Sequence, residues 1–167
     1  ADEQGSVLLI CNTKAEALGL YRQLRLQPGT FHLSTAMCME HRLRTLQAIH
    51  AALHDHERVV CISTQLVEAG VDFSFGCVIR SKAGLDNVIQ AAGRCNRHKE
   101  LGKMGAVYIV QMSDDAEHLE HLREIRDAQA ALQKVLHSFD LDEGALDSEA
   151  AIKFYYSAYY SQLRELE

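Results

Sequence analysis

The 167-residue chain has no apolar run near the roughly 20 residues that a membrane-spanning helix needs, so no helical anchor is expected within it. Its start, ADEQGS, is polar, without the basic stretch of a secretory signal and without an initiator methionine. A cytoplasmic, excised or processed piece is therefore expected. The five cysteines (Cys11, Cys38, Cys61, Cys77 and Cys95) are odd in number and widely spread, with no CxxC or zinc-type spacing. That disfavours a disulfide framework or a zinc module and points to a reducing compartment. Histidines are plentiful, but neither His50, His54 and His56 nor the pair His118/His121 forms an HExxH pattern, and no metal site is expected. No internal repeat and no low-complexity linker breaks the chain. Also missing are a G-x-x-x-x-G-K-[ST] loop and a DExD- or DEAH-type acidic quartet, the usual cradles for phosphates and their metal.

What the chain does have is a core: 47% of its residues are hydrophobic, enough for one sizeable folded domain and against disorder. Its net charge of −6 is unevenly spread. Residues 113–167 hold 13 acids against 5 Lys/Arg, a net of −8, leaving 10 acids and 12 Lys/Arg, a net of +2, in residues 1–112. Between 80 and 103, Arg80, Lys82, Arg94, Arg97, Lys99 and Lys103 face only Asp86 and Glu100. Local potential governs phosphate binding more than whole-chain charge does, so this stretch is the candidate anion-facing surface.

Apolar runs alternate with amphipathic stretches. SVLLICN (6–12), TFHLST (30–35), RVVCIST (58–64), GCVIR (76–80) and GAVYIVQM (105–112) read as strands. Between them, 14–26, 41–55 and LDNVIQAAGRCNR (85–97) read as helices, with Leu43, Leu46, Ile49, Ala52 and Leu53 as the buried stripe of the second. Continuous apolar strands fit a parallel sheet covered on both faces, and this alternation implies right-handed βαβ units in an open α/β fold. From about residue 114 the pattern is helical only, with a break near LDEG (141–144). The division expected is a domain over 1–113 and a helical extension over 114–167. In the extension, Ile152, Tyr155, Tyr156, Tyr159 and Leu163 share a helical stripe, read as a packing face rather than a base-stacking platform.

Open α/β sheets bind ligands beyond the carboxyl ends of their strands. Four polar clusters are assigned to that edge: CNTK, LSTAMCMEHR, STQLVEAGVD and QAAGRCNR, so the arginines of the last are expected to share an edge with the other three.

The order of these motifs resembles the second RecA-like domain of a superfamily 2 helicase, with STQLVEAGVD similar to motif V and QAAGRCNR to motif VI, Q-x-x-G-R-x-x-R. Their wording, with LSTAMCMEHR, is closest to the CRISPR-associated helicase–nuclease of type I interference systems. The resemblance covers roughly residues 6–112. Met39 departs from it, standing where proline is expected, and so does His98-Lys99 after the last arginine.

The resemblance implies an open, mostly parallel RecA-like sheet flanked by helices. It makes Arg97 the arginine finger on the γ-phosphate, Arg94 a second phosphate contact and Gln90 a γ-phosphate sensor or water-orienting group. Gly93 would permit close approach to the nucleotide, and Gly70 with Asp72 would shape and hold its ribose side. Asn12, Thr13, Ser34, Thr35, Arg42, Ser63, Thr64 and Gln65 would hold the backbone of single-stranded DNA. ATP and Mg²⁺ would be bound mainly by a first RecA-like domain outside this chain. The partners implied are that domain, a nuclease domain of the same parent and an RNA-guided type I surveillance complex, with no membrane.

Each assignment has a plainer counterpart. An isolated R-x-x-R is usually a solvated helix face, a Gly-x-Asp can be an ordinary turn, and a Ser or Thr after a strand is often a helix cap. Motif V at the expected distance before motif VI favours the motor reading. Two alternatives stay open: another superfamily 2 DNA or RNA helicase, and a non-catalytic nucleic-acid- or nucleotide-binding α/β module.

Overall fold

The structure, a computed structural model, describes residues 5–64, 72–96, 105–139 and 145–164. Five strands, β1 (Ser6–Ile10), β2 (Thr30–Leu33), β3 (Val59–Ser63), β4 (Cys77–Ser81) and β5 (Ala106–Val110), form one sheet in the order β2-β3-β1-β4-β5. Every pairing is parallel. This is the open parallel α/β sheet expected from the strand–helix alternation, and it agrees with the RecA-like sheet that the resemblance implies.

The helices are α1 (Lys14–Leu24), α2 (Met39–His54), α3 (Leu85–Ala92), α4 (Asp114–Glu117), α5 (Arg123–Ser138) and α6 (Glu149–Arg164). The chain divides into two compact units, Ala1–Ser81 with Gln90–His118, and Lys82–Ile89 with Leu119–Glu167.

In the first unit the strands alternate residues between two faces. Leu8, Ile10, Val59, Cys61, Phe75 and Val78 gather with Ile49 and Ala52 of α2 on one face. On the other, Cys11, Val60 and Ile62 pack with Ala17, Leu20 and Leu24 of α1. Each fully buried aliphatic side chain contributes roughly 1.5–3 kcal/mol. The expected stripe on α2 needs one correction: Leu43 is 50% exposed, because the helix leans on the sheet only from Leu46 onward. Burial pushes the Cys61 thiol up to about 12, and burial followed by the nearby Glu16 raises that of Cys11, so both behave as small core residues.

Between α1 and β2, Pro28-Gly29 makes the turn. Gly29 has φ +71°, and a Cβ there would lie 1.9 Å from the Arg58 carbonyl oxygen. Only glycine fits, which sets the start of β2 beside β3.

In the second unit α5 and α6 pack together. Tyr155 is the buried residue of the tyrosine stripe, and Tyr159 stacks on it with ring centroids 6.0 Å apart. Burial, then the Asp86 charge, pushes the Tyr155 hydroxyl up to about 12. Tyr156 donates to Asp86 at 2.9 Å, and Leu163 is 39% exposed. None of the described helices is long and apolar enough to cross a membrane.

Candidate functional site at two edges of the sheet

The carboxyl edge is built by the loops that leave β1, β2 and β3. After β1, the sequence TKAE supplies a capping arrangement for α1. Thr13 Oγ1 accepts from the Glu16 N–H at 3.2 Å, and Glu16 reaches back to accept from the Asn12 N–H at 2.9 Å. The Asn12 amide is used on both sides: its oxygen accepts from Arg80 Nη1 at 2.8 Å, and its nitrogen donates to Glu117.

After β2, Ser34 is 2% exposed, and its hydroxyl accepts from the Ala36 N–H at 3.1 Å while its carbonyl accepts from Met37. Thr35 is exposed at that turn. The helix then starts at Met39, the position departing from the family pattern, and Arg42 donates to the Met39 sulfur at 3.3 Å. After β3, Ser63 and Thr64 are both buried, and the Ser63 hydroxyl donates to the Thr64 carbonyl at 2.8 Å. Gln65 and Gly70 lie outside the described residues. Thr13, Ser34 and Ser63 therefore bond their hydroxyls to nearby backbone, and among the described residues of these loops Thr35 is an exposed hydroxyl.

The arginine motif lies elsewhere. The helix expected through residue 97 ends at Ala92, where a tight turn follows: Arg94 N–H bonds to the Ala91 carbonyl and Cys95 N–H to that of Ala92. Cys95 then forms a parallel bridge to Phe75, with Phe75 N–H on the Arg94 carbonyl at 2.9 Å and Asn96 N–H on the Phe75 carbonyl at 2.8 Å. Asn96 adopts φ +45°, a conformation asparagine tolerates.

Phe75 and Gly76 precede β4, and Gly76 N–H bonds to Ser6 at the start of β1. The Gly93–Asn96 turn is thus at the amino edge of the sheet, opposite the three hydroxyl-bearing loops. This corrects the shared-edge expectation, for a topological reason: a helix between parallel strands runs back against them, so its far end returns to the strand starts.

At this amino edge Gln90, Gly93 and Asp72 are exposed and Arg94 is half-buried. Asp72 stands three residues before Phe75. Arg97 lies outside the described residues, as do Lys99 and Lys103. Gly105, at the entrance to β5, allows the turn to close: a Cβ there would lie 2.4 Å from Cys95 Sγ and 3.1 Å from Asn96 Cβ. The Cys95 thiol is raised by burial and then by Cys77.

Sequence reading counted Arg80 among the surface cations, but it is wholly buried, with Nη1 on the Ile10, Ser81 and Asn12 oxygens at 3.2, 2.7 and 2.8 Å. Glu16 and Glu117, 3% and 1% exposed, complete the cluster, and Ser81 donates its hydroxyl to Glu16. The signal for it was present: a lone charge between Ile79 and Ser81 in an otherwise apolar strand. Among the described residues no group of three His, Cys, Asp or Glu side chains converges to hold a metal ion.

A family profile described as CRISPR-associated nuclease/helicase Cas3, C-terminal, matches residues 3–100. The Cas3 nuclease/helicase of Haloferax volcanii is 55% identical over 51 residues, 30% of this chain and 5% of that protein. That of Methanothermobacter thermautotrophicus is 26% identical over 99 residues, 59% of this chain and 12% of that protein. The crystal structure of T. fusca Cas3 superposes with a TM-score of 0.65 at 20% identity, over 97% of this chain and 23% of that one, and shows the same fold. The chain thus spans a small part of the length of these relatives. Since the matched span contains all the described motif residues at both edges, from Asn12 to Arg94, the chain belongs to the family of the Cas3 C-terminal region.

Proposed function

We propose that this chain is the second motor half of an ATP-dependent single-stranded DNA translocase that works in the cytoplasm with a nuclease domain in CRISPR interference. The observation that carries the reading is the separation of its motifs, in a member of the Cas3 C-terminal family, onto opposite edges of one parallel sheet. Loops after β1, β2 and β3 would grip the DNA backbone, and the turn after α3 would face the nucleotide.

The donor set at the amino edge fits one side of a nucleotide cleft. Arg94, on a turn whose backbone is fixed by Phe75, would present a guanidinium to phosphate, with Arg97 three residues on as the finger. Gln90 and Asp72 are exposed beside that stretch of chain, and Gly93 leaves room for approach, with Gly70 completing the motif. Nucleotide supplies the charge that these groups would stabilise. Following the resemblance, the metal and most of the phosphate contacts are assigned to the first RecA-like domain of the parent. The domain is read as residues 1–113, with 114–167 as its helical extension.

Solved neighbours give the reading its partners: T. fusca Cas3 with ATP, an RNA-guided CRISPR surveillance complex in a pre-nicking state, and the Mycobacterium smegmatis helicase Lhr bound to ssDNA and AMP-PNP. By these, this chain would act with ATP, a surveillance complex and, after the third, single-stranded DNA.

The test is ATP hydrolysis by the full-length parent, with and without single-stranded DNA, beside the 167-residue chain alone. The parent should hydrolyse ATP when DNA is present, and the chain alone should not, having no phosphate loop. The chain alone should bind single strands weakly, without sequence preference, and more weakly as salt rises because phosphate contacts release counterions. A parent that ignores DNA, or salt-insensitive sequence-specific binding by the chain, overturns the reading.

A further inference from the structure

We infer that Arg80 is a positioning residue for the DNA grip: buried beneath the carboxyl edge, it sets the loop after β1 by orienting the Asn12 amide between itself and Glu117. The inference rests on the motor reading, since it concerns what that edge holds.

The geometry is specific. Arg80 leaves β4 and places Nη1 against the last carbonyl of β1, Ile10, and against Asn12 Oδ1. With its oxygen taken by a guanidinium, the Asn12 amide must turn its nitrogen to an acceptor, and Glu117, on α4 after β5, is that acceptor. The Asn12 backbone N–H is held as well, by Glu16 at 2.9 Å, and Glu16 is itself tied to Ser81 at the end of β4. The loop after β1, the end of β4 and α4 after β5 are thereby cross-linked through one asparagine.

A core position needs none of this. Neighbouring strand positions are filled by Leu8, Ile10 and Val78, and apolar residues of similar volume generally replace a buried ionic group without loss of stability. What the polar cluster adds is direction. It leaves the Thr13 backbone and the start of α1 in one orientation at the edge where a strand of DNA would lie, and pre-set donors bind a backbone without the entropy of ordering a loop.

The experiment uses the full-length parent and titrates single-stranded DNA, reading ATP hydrolysis at each concentration, with nucleotide affinity as a check at the opposite edge. Arg80→Met alone would remove the donor to Asn12 Oδ1 and keep the Glu117 acceptor, so the informative variant is Arg80→Met/Glu117→Leu, which removes both ends of the Asn12 bridge. The DNA concentration for half-stimulation should rise on the order of tenfold, the scale of a lost charge-assisted hydrogen bond, with hydrolysis at saturating DNA near wild type. A merely structural role would instead lower the saturated rate and leave half-stimulation unchanged. Glu117→Gln, which keeps an acceptor oxygen for Asn12, should hold half-stimulation near wild type, whereas Glu117→Leu should raise it. Unchanged half-stimulation in a nucleotide-binding Arg80→Met/Glu117→Leu parent overturns the positioning role and leaves the motor reading intact. A wild-type parent that shows no DNA-stimulated hydrolysis sinks the motor reading and this inference with it.

Discussion

The two edges of the sheet are built in opposite ways. At the carboxyl edge the polar side chains turn inward: Asn12, Thr13, Ser34 and Ser63 are all committed to internal hydrogen bonds, over a buried Arg80 and Glu117. At the amino edge the backbone is held by the Phe75–Cys95 bridge, and Gln90, Gly93 and Asp72 are exposed to solvent. A loop whose side chains fix its own shape offers backbone groups, which suits recognition of a repeating phosphate chain. A turn whose backbone is fixed by the sheet can offer long side chains, which suits an arginine that must reach across a cleft. The strands between are five residues long at β1, so the edges stand about 16 Å apart along them. Motion at one edge would reach the other through a rigid parallel sheet.

The sharpest way to break this contrast is to remove Arg94, on the amino-edge turn, and Arg97, the last arginine of the same sequence motif. In the full-length parent, Arg97→Ala should slow single-turnover ATP hydrolysis on DNA by on the order of 10³-fold or more, the scale of an arginine finger. Arg94→Ala should also slow it, and single-strand binding should survive in both. Arg97→Lys should not restore the rate, because an ammonium lacks the planar fork. Near-normal hydrolysis in both alanine variants would sink the motor assignment, since exposed pairs contribute only about 0–1 kcal/mol.

A smaller effect is expected from crowding the turn that carries Arg94. In Gly105→Ala the new Cβ would meet Cys95 Sγ at 2.4 Å, and overpacking of this kind costs roughly 1–3 kcal/mol. The variant should melt earlier and hydrolyse ATP more slowly in the parent. Cys95→Ala added to it should recover much of the melting temperature. If the single substitution leaves melting unchanged, the turn is not held closed as described.

How much of this was legible in the sequence depends on how local each cause is. All five strands were readable because each is a short apolar run, and the fold class follows from their alternation with helices. The end of α3 was not, since QAAGRCNR continues a helical pattern and only the distant Phe75 draws Cys95 into a bridge. That tertiary pairing is also what moves the arginine turn to the amino edge. Burial of Arg80 depends on Asn12 and Glu117, 68 and 37 residues away in the chain, so a charge count placed it on the surface. The cap at Thr13 was among the plain readings of the sequence because a Ser or Thr that follows a strand is often a helix cap.

That cap gives the next test, at the carboxyl edge. Thr13→Ala removes the acceptor for the Glu16 N–H and should cost about 1 kcal/mol, read as a lower midpoint in urea. Thr13→Ser keeps the oxygen and should restore most of it. Equal midpoints for all three forms would mean that the hydroxyl does not cap α1.

The smallest effect belongs to neither edge and separates their chemistry from general stability. His32, on β2, stacks on Tyr21 of α1 with ring centroids 5.1 Å apart. Its pKa is lowered, first by burial and then by His41, so the folded chain favours the neutral ring. For a base whose folded pKa lies below its unfolded value, the unfolded state binds the proton first. Stability is then fully present above the ordinary histidine range, near 6.5, and is lost as pH falls from there to the depressed folded value. The measurement is the melting temperature of the chain between about pH 7.5 and pH 5.5, near the ordinary histidine pKa, for wild type and His32→Phe. Phenylalanine keeps a ring against Tyr21 and cannot charge, so its curve should be flatter. Because neither His32 nor Tyr21 is among the residues assigned to nucleotide or DNA, both affinities of the parent should remain the same for the two forms at neutral pH. Parallel melting curves would show that His32 does not carry this pH dependence.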